Sequence, residues 1–316
     1  MRLLRSLVDA LRSRVQASVT SPFSHAPFPL EETLAYDADP GLFGPDSATW
    51  AVIGDAASFL GGVRALLVQA AHPEVVAGVA DHSAYEEDPL GRLSRTSAYV
   101  TATAFGAMPE VERAIRIVRE AHRGVSGVSH RGRRYAASAP ELAAWVHNAL
   151  TDSFLVSHQT FGPGRCARAE ADRFVIEQTL LGRRLGAAPL PEDAASLAAW
   201  IEEHPDAAPS PGMRETVAFL RAPPLGGRLR LGYAILFHAA VATIPARLRR
   251  VLGLRRLPGA RLAGRALIHY LRWALGSSPA WHLALLRCHA PIPPGRFRQA
   301  ISAERLARRP RAQATR

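Results

Sequence analysis

A stripe of polar side chains occupies helix positions that normally carry an apolar face. In the segment GRLSRTSAYV (91–100), Arg92, Arg95, Thr96 and Tyr99 fall at positions i, i+3, i+4 and i+7, so a helix would present all four on one side. A guanidinium group suits carboxylate ligands because its planar donors pair with both oxygens and it stays charged when partly buried. The stripe therefore predicts a helix that faces a ligand instead of an apolar core.

His122 occupies a core-facing position in the next predicted helix. The segment 109–127 carries an apolar stripe at helical spacing, formed by Val111, Ala114, Ile115, Val118 and Val125. His122 continues this stripe, so its imidazole is expected to point inward. A lone histidine on an apolar face is more often a satisfied core residue than a ligand, and both interpretations stay open at this point.

A second histidine, His147, takes a similar inward position, in line with Ala143, Leu150 and Phe154. Two inward histidines on consecutive helices, opposite an arginine-bearing helix, resemble the parts of a haem pocket. Such a pocket needs a neutral imidazole for the iron and cations for the propionates. The residues alone do not decide which histidine would bind the iron.

Other constellations that carry chemistry are absent from the sequence. It has no GxSxG, GxGxxG, P-loop or HExxH motif and no Glu-x-x-His pairs of the kind a di-iron bundle uses. Cys166 and Cys288 are far apart, which argues against a disulfide framework or a zinc site and favours a reducing compartment. One group of residues could form a polar cluster near the pocket mouth, but surface solvation is the default explanation. Its members are Asp81, His82, Glu86, Glu87 and Asp88.

The elements that must position these side chains are helices. Apolar residues recur at helical spacing over much of the chain, prolines occupy predicted first turns, and no alternating strand pattern appears. The sequence therefore predicts an all-α fold with a single multi-helix domain. Its predicted divisions are an N-terminal helix with an irregular leading segment (1–40), a helical catalytic domain (41–250) and a basic helical extension (251–316).

Positive charge is concentrated in the last third of the chain. All 39 basic residues are arginine, and residues 211–316 carry a net charge of +18 whereas residues 1–210 carry −6. The clusters at 247–256 and 304–316 suit an anionic membrane surface or an acidic partner, and a solvated tail is the commoner result of such a composition. Nucleic acid is not expected as a partner, since no recognition motif accompanies the arginines.

Neither of two segments that bear on membranes reads as a membrane anchor. The N-terminal segment MRLLRSLVDALRSRVQASV is interrupted by charged residues, unlike a secretory signal. The run LGYAILFHAAVATI (231–244) is shorter than the roughly 18–20 residues of a bilayer span and contains His238, so we expect a buried or interfacial helix. The expected location is the cytoplasm, with peripheral membrane contact through the Arg-rich region.

Several motifs, in order along the chain, resemble one family. They are FGPDSATW (43–50), LGGVRALLVQAAHPEVVAGVADHSAYEEDPLGRLSRTSAYV (60–100), AHRGVSG (121–127), YAASAPELAAWVHNAL (135–150) and ADRFVIEQ (171–178). Together they resemble the catalytic domain shared by MpaB-type oxygenases and latex-clearing rubber oxygenases, over about residues 40–250.

The resemblance implies an all-α fold with a globin-like core that holds haem b through one proximal histidine. His122 is the matching position, which leaves His147 as a distal or supporting residue. The distal arginine and threonine of the family match Arg92 and Thr96. Arg95 stands where rubber oxygenases carry a lysine that caps the iron, and a guanidinium is a poor iron ligand.

The activity that the resemblance implies is a haem b-dependent oxidation or oxidative cleavage of a hydrophobic small molecule with O2. The residues expected to bind haem are His122, with the iron, and His147, Arg92 and Tyr99. The residues expected to act in catalysis are Arg92, Arg95 and Thr96. Polyisoprene is not expected as a substrate, because no export signal is present.

Three questions stay open from the sequence. Glu74 and Asp81 are both candidates for a catalytic base. The apolar pocket lining is expected from Leu66, Leu67, Val75 and Phe105 or their neighbours. The alternative functions are a non-catalytic haem-binding sensor or carrier and a peripheral membrane-associated helical protein.

Overall fold

Helices make up nearly all the regular structure of the protein. The computed structural model describes residues 10–18, 29–82 and 88–307, and over these ranges the fold is all-α, as predicted. A short 3-10 helix, Thr33–Ala35, precedes the second α-helix. The α-helices are α1 (10–18), α2 (Ala48–Ile53), α3 (Ser58–Gln69), α4 (Pro73–His82), α5 (Pro89–Phe105), α6 (Met108–His122), α7 (Pro140–Phe161), α8 (Arg168–Arg184), α9 (Ala194–Glu203), α10 (Pro211–Arg221), α11 (Gly227–Val241), α12 (Ala246–Val251), α13 (Ala260–Leu275), α14 (Pro279–Arg287) and α15 (Ala303–Ala307).

Capping residues and prolines set the starts of the helices that carry the predicted site. Asp88 accepts a hydrogen bond of 2.9 Å from the backbone nitrogen of Gly91, and Pro89 lies in the first turn of α5, which are the usual positions of a capping carboxylate and of a proline. The predicted end of the helix over 109–127 is wrong. The helix α6 ends at His122, because the chain then turns into a strand.

A small antiparallel hairpin follows α6. Its strands β1 (Ser126–Val128) and β2 (Arg134–Ala136) pair with Gly127 opposite Tyr135. A strand of three residues carries too little alternation for a sequence pattern to reveal it. The hairpin packs against α4, and the Tyr135 hydroxyl donates a hydrogen bond to Asp81 of that helix.

The centre of the fold is the packing of α3 against α7. Gly61 allows the closest approach, since a Cβ there would lie 2.6 Å from Cδ1 of Phe154. A buried ion pair joins the same two helices, with Arg64 Nη1 at 2.6 Å from Asp152 Oδ2. The helix α11 packs against α3, and α13 packs against α11. The predicted domain boundary near residue 250 stays a prediction.

The helix α11 accounts for most of the apolar run 231–244. Its residues Phe237 and Val241 are buried, whereas Leu231 is 68% exposed. Among the described residues, none of the helices combines the length and the apolar character that a bilayer crossing requires. The tail beyond residue 307 and the predicted cluster members Glu86 and Glu87 lie outside the described residues.

Candidate functional site

A cavity of about 1400 Å³ lies among helices α2 to α8. It is larger than the roughly 300–1,000 Å³ of most small-molecule sites, so it has room for a large flat group together with a second molecule. All the site residues predicted from the sequence line this one cavity. They are Arg92, Arg95, Thr96, Tyr99, His122 and His147.

The polar stripe of α5 forms one wall of the cavity. Arg92 is half-buried, whereas Arg95 and Thr96 are exposed. The guanidinium of Arg95 is 62% exposed and forms an ion pair with Asp88, with Nη1 at 3.0 Å from Oδ2. Arg92 is therefore the more enclosed of the two cations.

Tyr99 presents a hydroxyl group that the fold itself does not use. Its oxygen is buried and has no hydrogen-bond partner among the described residues, and burial raises the pKa of this phenol above its ordinary value. A buried tyrosine hydroxyl usually has a partner. The nearby hydroxyl of Thr103 is already committed, because it donates to the backbone oxygen of Tyr99 at 2.9 Å. Tyr99 also lines the cavity, so its hydroxyl is a candidate hydrogen-bond donor to a ligand bound there.

His122 is the last residue of α6 and lines the same cavity. Its ring is open to the cavity and has no hydrogen-bond partner among the residues that the structure describes. Partial desolvation by the surrounding wall lowers the pKa of His122 below its usual value. The neutral imidazole that results is the form that binds a metal.

His147 is also on the wall, but the protein holds its ring. The side chain is buried, and Nε2 lies 2.9 Å from the backbone oxygen of Gln178 on α8. Burial lowers the pKa of His147 to about 4, so the ring is neutral near pH 7 and donates its Nε2 proton to that carbonyl. One of its two nitrogens is therefore already committed.

The apolar lining was predicted only in part. Leu66 and Val75 line the cavity, as expected. Leu67 and Phe105 do not line the cavity themselves, because both are buried in the core, whereas their neighbours Leu66 and Ala104 do. Leu67 follows Leu66 by about 100° around α3, which turns it away from the cavity, and Phe105 packs against Trp50 with ring centroids 6.0 Å apart.

Neither candidate base is a free carboxylate. Burial would raise the pKa of Glu74, but hydrogen bonds from Arg131 and Ser129 outweigh it and lower the pKa below the usual range. The Ser129 hydroxyl donates to Glu74 Oε1 at 2.8 Å. Asp81 accepts the hydrogen bond from Tyr135. Both side chains are thus engaged in attaching the hairpin to α4.

A family model matches residues 50–273 of the chain and is described as the catalytic domain of the ER-bound oxygenase mpaB/B′ and rubber oxygenase. The chain belongs to this family. No curated protein and no solved structure matches it. The matched segment runs from within α2 to within α13, so this oxygenase-family domain contains all the helices that carry the predicted site residues.

Sequence reasoning missed a second polar cluster behind the cavity. His72, His204 and Asp206 each place one potential metal-binding atom within 4.8 Å of the others, and Glu74 is adjacent. The signal in the sequence is a repeated tripeptide, HPE at 72–74 and HPD at 204–206. Two short motifs that lie so far apart along the chain give no indication that the fold brings them together.

Proposed function

We propose that the protein is a haem b-dependent oxygenase that oxidises or oxidatively cleaves a hydrophobic small molecule with O2. The observation that carries the proposal is the convergence of Arg92, Tyr99 and His122 on one large cavity in a chain of an oxygenase family. When bound, haem supplies O2 binding and one-electron chemistry that amino-acid side chains lack.

The donor set of the cavity fits haem. We assign the iron to His122, because its imidazole is neutral and unpartnered among the described residues, whereas His147 commits Nε2 to Gln178. Arg92 suits a propionate as a half-buried guanidinium. The Tyr99 hydroxyl would donate a hydrogen bond to an acceptor on the bound group.

The remaining predicted residues would act on O2 and on the mouth of the cavity. Thr96 lines the cavity, and its Oγ1 hydroxyl would be a hydrogen-bond donor to a small ligand held there. Arg95 would keep a positive charge beside that ligand. The ion pair with Asp88 would limit the movement of the Arg95 side chain. His147 would hold its part of the wall in position through Gln178.

The apolar part of the wall supports a hydrophobic substrate. Ile117 on α6 lines the cavity and is 58% exposed, so its apolar side chain is accessible to a ligand there. Val118, Leu66 and Val75 extend the same lining. These side chains would bind the substrate by excluding water and leave its orientation to the polar stripe.

The test of the haem assignment is the visible spectrum and the pyridine haemochrome of the purified protein, expressed with a haem supply. We expect a Soret band with about one haem per chain, lost in His122→Ala and retained in His147→Ala. A folded wild type that stays colourless after reconstitution with haem would overturn the proposal. Substrate-dependent O2 consumption then separates an oxygenase from a haem sensor or carrier, since only the enzyme turns over.

A second proposal concerns the location of the protein. We propose that it works in the cytoplasm and contacts anionic membranes through the Arg-rich region. The loop between α12 and α13 exposes Arg255, Arg256 and Leu257, and the first turn of α13 exposes Leu262. Exposed leucines beside arginines combine the apolar and electrostatic parts of membrane-surface binding.

A further inference from the structure

Two His-Pro-acid tripeptides, HPE (72–74) and HPD (204–206), meet in the fold. One potential ligand atom from each of His72, His204 and Asp206 lies within 4.8 Å of the others, and Glu74 Oε2 is 3.3 Å from His72 Nδ1. We propose that these residues form a binding site for a divalent transition metal ion of the Zn²⁺ or Fe²⁺ class. The site is separate from the histidine assigned to haem, and it does not depend on the proposed function.

The backbone fixes the two tripeptides before any ion binds. A residue that precedes proline is restricted to extended conformations, and His204 has φ −53° and ψ 122°. The backbone nitrogen of Ala208 donates to the oxygen of Ala71 at 3.0 Å, next to His72. Arg247 Nη2 donates to the carbonyl oxygen of His204 at 3.0 Å. Ligands held in this way lose little freedom when an ion binds.

His72 shows that the cluster is incomplete without a ligand. Its side chain is 5% exposed, and Nδ1 is buried without a hydrogen-bond partner among the described residues. The 3.3 Å contact with Glu74 lacks hydrogen-bond geometry. A buried polar atom that stays unpaired is costly, and a metal ion held between the two tripeptides would satisfy it. A cavity of about 560 Å³ lined by His72, His204 and Asp206 gives such an ion access.

Two arginines contact the carboxylates of this cluster. Arg131 donates from Nε to Glu74 at 3.1 Å, and its Nη2 lies 3.5 Å from Asp206. Arg133 forms an ion pair with Asp206, and its side chain is 59% exposed. Because Arg133 is at the surface, it can release Asp206 to a metal ion while Arg131 keeps Glu74. The ligands then available are two imidazole nitrogens and a carboxylate oxygen, a set that suits Zn²⁺ or Fe²⁺ and leaves positions open for water.

The experiment is equilibrium dialysis of the full-length, chelator-stripped protein against Zn²⁺, with bound metal measured by mass spectrometry. We expect one Zn²⁺ per chain in the wild type and at least tenfold weaker binding in His204→Ala and in Asp206→Asn. His130→Ala removes an exposed histidine outside the cluster and should leave Zn²⁺ binding unchanged. Arg133→Gln should bind Zn²⁺ more tightly, because it removes the cation that competes for Asp206.

The proposal is wrong if the stripped wild type binds no Zn²⁺, or if His204→Ala and Asp206→Asn bind it like the wild type. The cluster would then be a structural ion-pair network, which also predicts no gain of affinity in Arg133→Gln. The melting temperature in chelator verifies that each variant is folded, and Zn²⁺ should raise it in the wild type but not in Asp206→Asn. His122→Ala should keep its Zn²⁺ whether or not it keeps haem, so the two proposals fail independently.

Discussion

At the scale of single residues, a substitution at Tyr99 should weaken ligand binding without weakening the fold. Its hydroxyl has no partner among the described residues, so Tyr99→Phe removes no protein hydrogen bond. The free energy of unfolding of the haem-free protein should therefore stay equal or rise by up to about 1 kcal/mol. Haem should dissociate about fivefold faster, because one hydrogen bond to it is worth about 1 kcal/mol.

The measurement for Tyr99→Phe is urea unfolding without haem, together with haem transfer to an acceptor protein. Thr103→Val is the matched control, because its hydroxyl bonds only to backbone oxygens of its own helix. That control should leave haem dissociation unchanged. A clear loss of stability in haem-free Tyr99→Phe would contradict the prediction, since it would reveal a structural partner for the hydroxyl.

The buried side chain of a second residue, His147, should make the stability of the protein depend on pH. Burial depresses its pKa from 6.5 to about 4, so between these values the unfolded chain binds a proton that the folded chain excludes. The contribution of His147 to the free energy of unfolding is therefore fully present above about pH 6.5 and is lost as the pH falls toward 4. Between pH 7 and pH 5 this residue should account for about 2 kcal/mol of the loss.

Urea unfolding at the two pH values measures that loss. His147→Gln is the informative variant, because its amide can still donate to the Gln178 carbonyl but does not titrate. We expect a smaller decrease in stability between pH 7 and pH 5 in this variant. Burial also lowers the pKa of His72 to about 4. His72 should therefore account for part of the pH dependence of stability that remains in His147→Gln. An unchanged slope in His147→Gln would show that His147 is protonated in the fold.

The residues of the large cavity and those of the His72/His204/Asp206 cluster differ in how much the sequence reveals about them. Arg92 and His122 each follow the helical periodicity of their neighbours, so the sequence reveals which face of its own helix each one occupies, but their meeting at one cavity is a tertiary contact. His72 and His204 each lie at a helix end beside proline, and only the packing of distant segments unites them. Leu67 was misjudged because periodicity tells which residues face inward but not whether they meet a core or a cavity.

At the scale of elements, the approach of α3 to α7 gives a matched pair of variants. A Cβ at Gly61 would lie 2.6 Å from Phe154, whereas a Cβ at Gly62 would meet nothing within 4 Å. Gly61→Ala should therefore destabilise the protein by about 1–3 kcal/mol through overpacking. Gly62→Ala should stabilise it by about 0.5–1 kcal/mol, because alanine favours the helix.

Chemical denaturation of both variants checks this pair. The comparison is direct because both glycines lie within α3 and the substitution is the same. Equal effects in the two variants would show that helix propensity alone determines the change in stability, and that the contact with Phe154 relaxes without cost.

The sequence predicts the elements better where the signal is local. Asp88 and Pro89 mark the start of α5, because capping and proline geometry depend on adjacent residues only. The end of α6 could not be predicted in this way. After His122 the chain leaves the helix to form β1, whose pairing with β2 and packing against α4 are tertiary contacts.

At the scale of the whole molecule, the charge distribution separates the cavity from the surface proposed for membranes. The site residues lie in the part of the chain with a net charge of −6, and the exposed Arg255 and Arg256 lie in the part with +18. The two parts nevertheless share a hydrophobic core, since Ile268 and Trp281 are buried together with Trp50 and Trp145. Removal of the basic region would therefore unfold the protein, and point substitutions are the proper test of membrane binding.

The double variant Arg255→Gln/Arg256→Gln tests that binding. An arginine near an anionic bilayer contributes about 1 kcal/mol, so the loss of two should weaken binding to phosphatidylserine vesicles roughly tenfold to thirtyfold. Arg165→Gln/Arg184→Gln makes the same change of net charge at exposed positions elsewhere and should have little effect. Vesicle sedimentation at low and high salt measures both, and binding to the wild type should fall as salt screens the charges. Equal losses in the two double variants would mean that net charge, and not this surface, holds the protein at the membrane.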